Sequence, residues 1–151
     1  MNGSSRHLQE LLDEQVPAAR AMGVQIKQYH PKGLVLAAPL AKNRNYKGTA
    51  FAGSLATMTT LAGWALTMLR VEEMGMNPEV VVARSTIGYL RPVREDIEVF
   101  CVMPDEATVE KLQRALDRKS IGRWELAARI PATGVKAVDY VGTYAITVEH
   151  R

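Results

Sequence analysis

Residues 48–69 read GTAFAGSLATMTTLAGWALTML, twenty-two positions without a charge. A run of that length is enough to cross a bilayer. It nevertheless carries five threonines, a serine and three glycines, and the segments on either side alternate apolar and polar residues as strands of a soluble sheet do. The stretch reads as one helix over about 53–74, buried on nearly every side, with Gly75 as its C-terminal stop. Gly53, Ala56, Thr57, Thr60, Gly63 and Thr67 recur at three and four and make a stripe of mostly small residues. Leu55, Met58, Ala62, Leu66 and Leu69 make a bulkier stripe. The bulky side is expected to press into a sheet. The small side would admit another backbone, from a second subunit or a ligand. The small residues that open the helix stand where its N-terminus offers free backbone donors.

Working outward, Leu8, Leu11, Leu12 and Val16 sit at helical spacing until Pro17 interrupts them. Residues 24–29 and 33–40 read as strands joined by the turn His30-Pro31-Lys32-Gly33. Residues 41–47 are polar and Asn-rich, a loop. Beyond the helix, 80–90 is strand-like and Arg91-Pro92 ends it. Ile97, Val99, Cys101 and Met103 alternate with Glu98, Phe100 and Val102. Pro104-Asp105-Glu106 opens a helix with Val109, Leu112, Ala115 and Leu116 on one face, broken at Ile121-Gly122. Trp124, Leu126, Ala128 and Ile130, and then Tyr140, Tyr144, Ile146 and Val148, mark two more alternating strands. Strands grouped around helices without regular β-α alternation indicate an α+β fold with a largely antiparallel sheet.

The 151 residues suit one domain, 1–151, and 47% hydrophobic content suits a packed core. The net charge of +3 is scattered, with no basic block that would point to nucleic acid. Cys101 is the one cysteine, so there is no internal disulfide and no cysteine metal site. Its apolar surroundings suggest a buried thiol rather than a reactive one. The first fifteen residues lack the apolar core of a signal peptide, and a cytoplasmic protein without a membrane anchor is the expectation.

An antiparallel sheet curled around one long apolar helix resembles the hotdog fold. The segment from Asn45-Tyr46-Lys47-Gly48 through Phe51-Ala52-Gly53-Ser54 to Leu61-Ala62-Gly63-Trp64 is similar to the signature of the YiiD C-terminal-like thioesterases. Val16-Pro17-Ala18-Ala19-Arg20-Ala21-Met22-Gly23-Val24 resembles that family's opening segment. Tyr89-Leu90-Arg91-Pro92-Val93 resembles a turn of hotdog thioesterases generally. The resemblance covers nearly the whole chain. It implies hydrolysis of an acyl-CoA or acyl-carrier-protein thioester by direct attack of water, without a cofactor, in a homodimer or dimer of dimers.

The phenylacetyl-CoA-type hotdog thioesterases place an Asn six residues before a His-Gly-Gly motif. Laid onto this sequence, Asn45 matches the Asn and Phe51-Ala52-Gly53 falls where His-Gly-Gly would be. The resemblance implies that the amides of Ala52 and Gly53 stabilise the oxyanion and that Asn45 positions carbonyl or water. Nine residues past the His position those enzymes carry an acidic residue; here Thr60 stands there, as a weak holder of water. No Asp or Glu lies anywhere in 48–69. Glu72, Glu95, Asp96, Glu98 and Asp139 are the carboxylates other elements could bring. Ser54 reads as the helix N-cap or a polar group contacting substrate, with Phe51 beside it. Ser85, with Thr86, is a candidate to face a partner subunit's site. Arg91, with Arg94, is a candidate for coenzyme A phosphates.

The histidines exclude neighbouring chemistries. His7, His30 and His150 lie far from the helix start, which argues against a dehydratase-type acid/base, a His-bound metal and Ser-His nucleophilic catalysis. The rival reading is a non-catalytic module that binds acyl thioesters.

Overall fold

The computed structural model describes residues 3–150. The elements run α1 (Gly3–Gln15), α2 (Pro17–Met22), β1 (Gln25–His30), β2 (Gly33–Ala38), a single 3-10 turn (Leu40–Lys42), α3 (Ala52–Glu73), β3 (Met76–Tyr89), β4 (Ile97–Val102), α4 (Glu106–Lys119), β5 (Ile121–Ala132) and β6 (Val135–His150). All six strands join one antiparallel sheet in the order β1-β2-β4-β5-β6-β3. The sheet wraps α3, which packs against five of its strands. This is the hotdog architecture. The alternation read in β5 and β6 holds: Trp124, Leu126, Ala128, Ile130, Tyr140, Tyr144, Ile146 and Val148 all face inward and are buried.

A helix this rich in threonine can be buried because the hydroxyls bond within it. Thr57, Thr59, Thr60 and Thr67 donate to the carbonyls of Gly53, Leu55, Ala56 and Gly63, four residues back. Two further bonds cross to the sheet. Trp124 Nε1 donates to Thr67 Oγ1 at 2.9 Å, and Tyr144 Oη donates to the Thr60 carbonyl at 2.8 Å. Gly63 makes the second contact possible, because a Cβ there would overlap the Tyr144 hydroxyl.

The stripe of small residues therefore divides. Gly53, Ala56, Thr57 and Thr60 are half-buried and leave one side open. Gly63 and Thr67 are buried against Tyr144 and Trp124 and serve the helix–sheet contact instead. Leu55, Met58, Ala62, Leu66 and Leu69 are all buried, as expected. Two boundaries also move. Val16 only interrupts the N-terminal helix, and Pro17 starts α2 at a position where its missing N–H costs nothing. Strand β3 begins at Met76, four residues earlier than the apolar pattern indicates; Pro78 is tolerated because β3 is an edge strand.

The two edges of the sheet differ. At β1, the Gln9 side chain stands in for a neighbouring strand. Its Nε2 donates to the Val24 carbonyl at 3.0 Å and its Oε1 accepts from the Ile26 amide at 2.7 Å. Edge β3 is longer and uncovered, with Val81, Val82 and Tyr89 exposed. Among the described residues no helix is long and apolar enough to cross a membrane.

Gly63→Ala should drive Tyr144 out of its seat and break the bond to Thr60. Overpacking of this kind costs about 1–3 kcal/mol, to be read as a lower urea midpoint at unchanged slope. A variant as stable as the parent would show that the close approach is not needed.

Candidate active site

The loop before α3 holds itself together. Asn45 Oδ1 accepts from the Lys47 amide at 2.9 Å and the Thr49 amide at 3.2 Å, and its Nδ2 donates to Thr49 Oγ1 at 2.8 Å. The Asn45 amide donates to the Thr49 carbonyl, and Gly48 makes the turn at φ +84°. Asn45 is half-buried, and one Nδ2 hydrogen remains beyond the bond to Thr49.

Asn43 fixes this loop to its surroundings. Its Nδ2 donates to the carbonyls of Met22 and Pro39 at 2.9 and 2.8 Å, and its own carbonyl accepts from the Phe51 amide at 2.7 Å. The buried side chain thus anchors the end of α2 and the end of β2, while the backbone carbonyl of the same residue holds the N-cap of α3. No feature of the sequence separates Asn43 from its neighbour Asn45 beforehand, since both are loop asparagines.

Helix α3 starts at Ala52, with Phe51 as N-cap in an extended conformation, φ −67° and ψ 133°. Phe51 has no side chain to cap with, so the amides of the first turn receive no side-chain acceptor. Ser54 is the third residue of the helix, buried, and does not cap it. This corrects the N-cap expectation for Ser54. Gly53 is needed because the Phe51 ring lies over it, where a Cβ would overlap the ring.

The strap after β3 closes the opposite wall. The Ala50 amide donates to the Val93 carbonyl at 2.8 Å, and Val93 is buried. Leu90 is held by the Ala137 carbonyl at 2.8 Å. Glu95 accepts from the Thr133 amide, and Asp96 Oδ1 accepts from the Leu40 amide at 2.9 Å. The result is a cleft of about 560 Å³ lined by Asn45, Lys47, Thr49, Ala52, Leu55, Tyr89, Leu90, Arg91 and Arg94, among others. Asn45, Ala52 and Arg91 come together here. Lys47, Thr49 and Tyr89 were not singled out from the sequence as site residues, although all three lie inside the quoted motifs. Tyr89 Oη approaches the Ala52 carbonyl at 3.5 Å.

Other candidates stand elsewhere. Thr60 is eight residues along α3 from Ala52, about 12 Å at 1.5 Å per residue, so one chain does not bring Thr60 to the Ala52 amide. The β3–β6 register pairs Ser85 with inward-facing Gly142 and Thr86 with outward-facing Val141. Ser85 thus lies on the concave face and Thr86 on the outer one. None of the five candidate carboxylates lines the cleft. Glu95 and Asp96 cap loops, and Glu72 is at the far end of α3. Glu98 is exposed on β4, and Asp139 lies 3.5 Å from Lys136. Burial pushes the Cys101 thiol up to about 12, so it holds its proton at neutral pH. Among the described residues no group of His, Cys, Asp or Glu could hold a metal ion.

The cleft is therefore cationic, has Ala52 at the start of α3 on one side and has no carboxylate among its lining residues. The profile of the YiiD C-terminal family, described as "putative thioesterase", matches residues 5–148. The chain belongs to this family. A protein of unknown function from Chlorobaculum tepidum TLS is 30% identical over 95% of this chain and 93% of its own, with a TM-score of 0.91. A Shewanella oneidensis protein, described in the same words as the family, is 27% identical over 96% and 98%, with a TM-score of 0.87. A Pseudomonas aeruginosa protein at 21% identity, covering 95% of each chain, shares the fold with a TM-score of 0.80. Membership makes the protein a thioester hydrolase by family; in the cleft at the α3 N-terminus the helix contributes Ala52 and Leu55, while Phe51, Gly53 and Ser54 are not among its lining residues.

Gly53→Ala should force the Phe51 ring off the helix start. Helix propensity favours the substitution by about 1 kcal/mol, so the fold should hold. The KM for an acyl thioester should rise several-fold, with kcat less affected. Unchanged kinetics would remove Phe51 from substrate contact.

Proposed function

We propose that the protein hydrolyses acyl-CoA or acyl-carrier-protein thioesters by direct attack of water in the cleft at the start of α3. The observation that carries this reading is the meeting, in one cleft, of Ala52 at the start of α3, Asn45 and the cations Lys47, Arg91 and Arg94. The thioester oxygen would lie against the Ala52 and Gly53 amides, which the helix dipole makes better donors. Water adds to the carbonyl carbon, the C–S bond then breaks, and the thiolate takes up a proton. The remaining Nδ2 hydrogen of Asn45 would orient carbonyl or water. The cations suit the phosphate of a pantetheine or nucleotide arm.

A homodimer completes this picture. Gln9 covers the β1 edge, and β3 offers the long uncovered one. Pairing two copies through β3 would cover Val81 and Val82 and bring a second chain's Thr60 toward a cleft its own chain cannot supply. A pair of such dimers would form the tetramer.

The binding-module reading is favoured by one observation, that no carboxylate or imidazole lines the cleft to take the proton from water. It predicts saturable acyl-CoA binding by calorimetry with no thiol released.

Ala52→Pro separates the readings. Pro at the first helical position removes an N–H that makes no helical bond, and Phe51 already has the extended backbone that precedes a proline. Thiol release should fall roughly a hundred- to a thousandfold while the helical signal is kept. Asn45→Asp keeps the acceptor for the Lys47 and Thr49 amides but loses the donor, and should lose most turnover without losing the fold. Full activity in both variants would sink the mechanism.

Val82→Arg should convert the dimer to a monomer in sedimentation. A variant that still sediments as a dimer would place the interface elsewhere.

A further inference from the structure

The turn that brings Lys47 to the cleft also carries an aromatic ring that the thioesterase reading leaves unused. Asn45, Tyr46, Lys47 and Gly48 form a β-turn, closed by the Gly48 amide donating to the Asn45 carbonyl at 3.1 Å. The Asn45 side chain braces it through the Lys47 and Thr49 amides and the Thr49 hydroxyl. Tyr46 and Lys47 are the central residues of the turn. Tyr46 is 92% exposed, more than any other large apolar side chain among the described residues. A ring left in water adds nothing to the core, because hydrophobic stabilisation follows the area removed from water. The turn nevertheless holds it in place.

Lys47 ties this ring to the cleft. Its Nζ lies 5.5 Å from the centroid of the Tyr46 ring, and the residue lines the cleft with Arg91 and Arg94. Among the described residues none of these three cations is in an ion pair. No carboxylate lines the cleft to neutralise them. Unpaired cations beside an open aromatic face suit a nucleotide: phosphates take the cations, and the base stacks on the ring. The ammonium of Lys47 covers one face of the ring at most and leaves the other to a base. The two carriers of a thioester differ at this point. Coenzyme A brings a pyrophosphate, a ribose phosphate and an adenine. A carrier-protein arm brings a single phosphodiester and no base. A turn braced before the ligand arrives also lowers the ordering cost of binding.

We infer that Tyr46 is a specificity residue that stacks on the adenine of coenzyme A, with Lys47 against a phosphate, so that the site takes acyl groups from coenzyme A in preference to carrier protein. The inference rests on the thioesterase reading and names the carrier. The experiment measures kcat/KM for one acyl group carried on coenzyme A, on phosphopantetheine and on acyl-carrier protein, in the full chain, in Tyr46→Ala and in Tyr46→Phe. Tyr46 is exposed, so both variants should fold as the parent does. In the parent the coenzyme A thioester should exceed the phosphopantetheine thioester by about fivefold or more, the lower end of what stacking one base contributes. Tyr46→Ala should lower that ratio by about the same factor, and Tyr46→Phe, which keeps the ring, should preserve it. These results, with acyl-CoA preferred to acyl-carrier protein, support the proposal. A parent ratio near one, a ratio unmoved in Tyr46→Ala, a ratio lost equally in Tyr46→Phe, or a preference for acyl-carrier protein overturns it. Absence of thiol release from every thioester counts against the thioesterase reading instead. Calorimetric dissociation constants for the same thioesters then decide the carrier on the same criteria.

Discussion

Everything in this molecule is placed by how α3 is turned about its own axis. Hydrophobic burial alone leaves that rotation loosely set, because the helix is apolar nearly all round. The polar tethers set it. Tyr144 reaches the Thr60 carbonyl, and Trp124 reaches Thr67, whose hydroxyl is itself bound to the Gly63 carbonyl. The two contacted residues stand seven positions, about two turns, apart, and Gly63 between them lets Tyr144 come close enough to bond. With that side pressed to β5 and β6, Ala56, Thr57 and Thr60 stay half-buried, and Ala52 lines the cleft with the strap that carries Arg91. The place of Ala52 in the cleft is a consequence of one rotation.

The sequence made the fold legible because its periods are clean. Alternation in 124–130 and 140–148 could only be strands with one buried face, and an uncharged run flanked by such strands could only be their core helix. What it could not separate was the use of small residues. Gly53 and Gly63 look alike at helical spacing. One makes room for Phe51 in the same turn, and the other makes room for a tyrosine eighty-one positions later in the chain. A partner that distant leaves no local mark. The same holds for the two asparagines. Asn43 is the buried anchor and Asn45 lines the cleft, but the difference is made by Met22, Pro39 and Phe51, none of which is in the loop. The early start of β3 was hidden because proline normally argues against a strand, and only the position at a sheet edge lifts that argument.

Edges explain why the site reads as half of something. A sheet wrapped around a helix has two edges to protect. Here one is closed with a single glutamine amide that copies the hydrogen bonds of a neighbouring strand. The other is left as fourteen residues of strand with exposed valines. Under the proposed pairing through β3, covering the open edge and completing the site would be one event.

The electrostatics of the cleft favour substrate charge over acid/base power. Lys47, Arg91 and Arg94 line it, while every carboxylate nearby is assigned to structure: Glu95 to the β5–β6 turn, Asp96 to the turn after β2. These two acids also hold the strap that presents the arginines. Moving either one into the cleft as a base would loosen the wall and neutralise the charge that attracts an anionic arm. Thioesters need less help than amides, because the thiolate is a good leaving group and the oxyanion is the main charge to be met. A site that spends its design on amide donors and anion capture, and leaves water to attack with little assistance, is consistent with that chemistry.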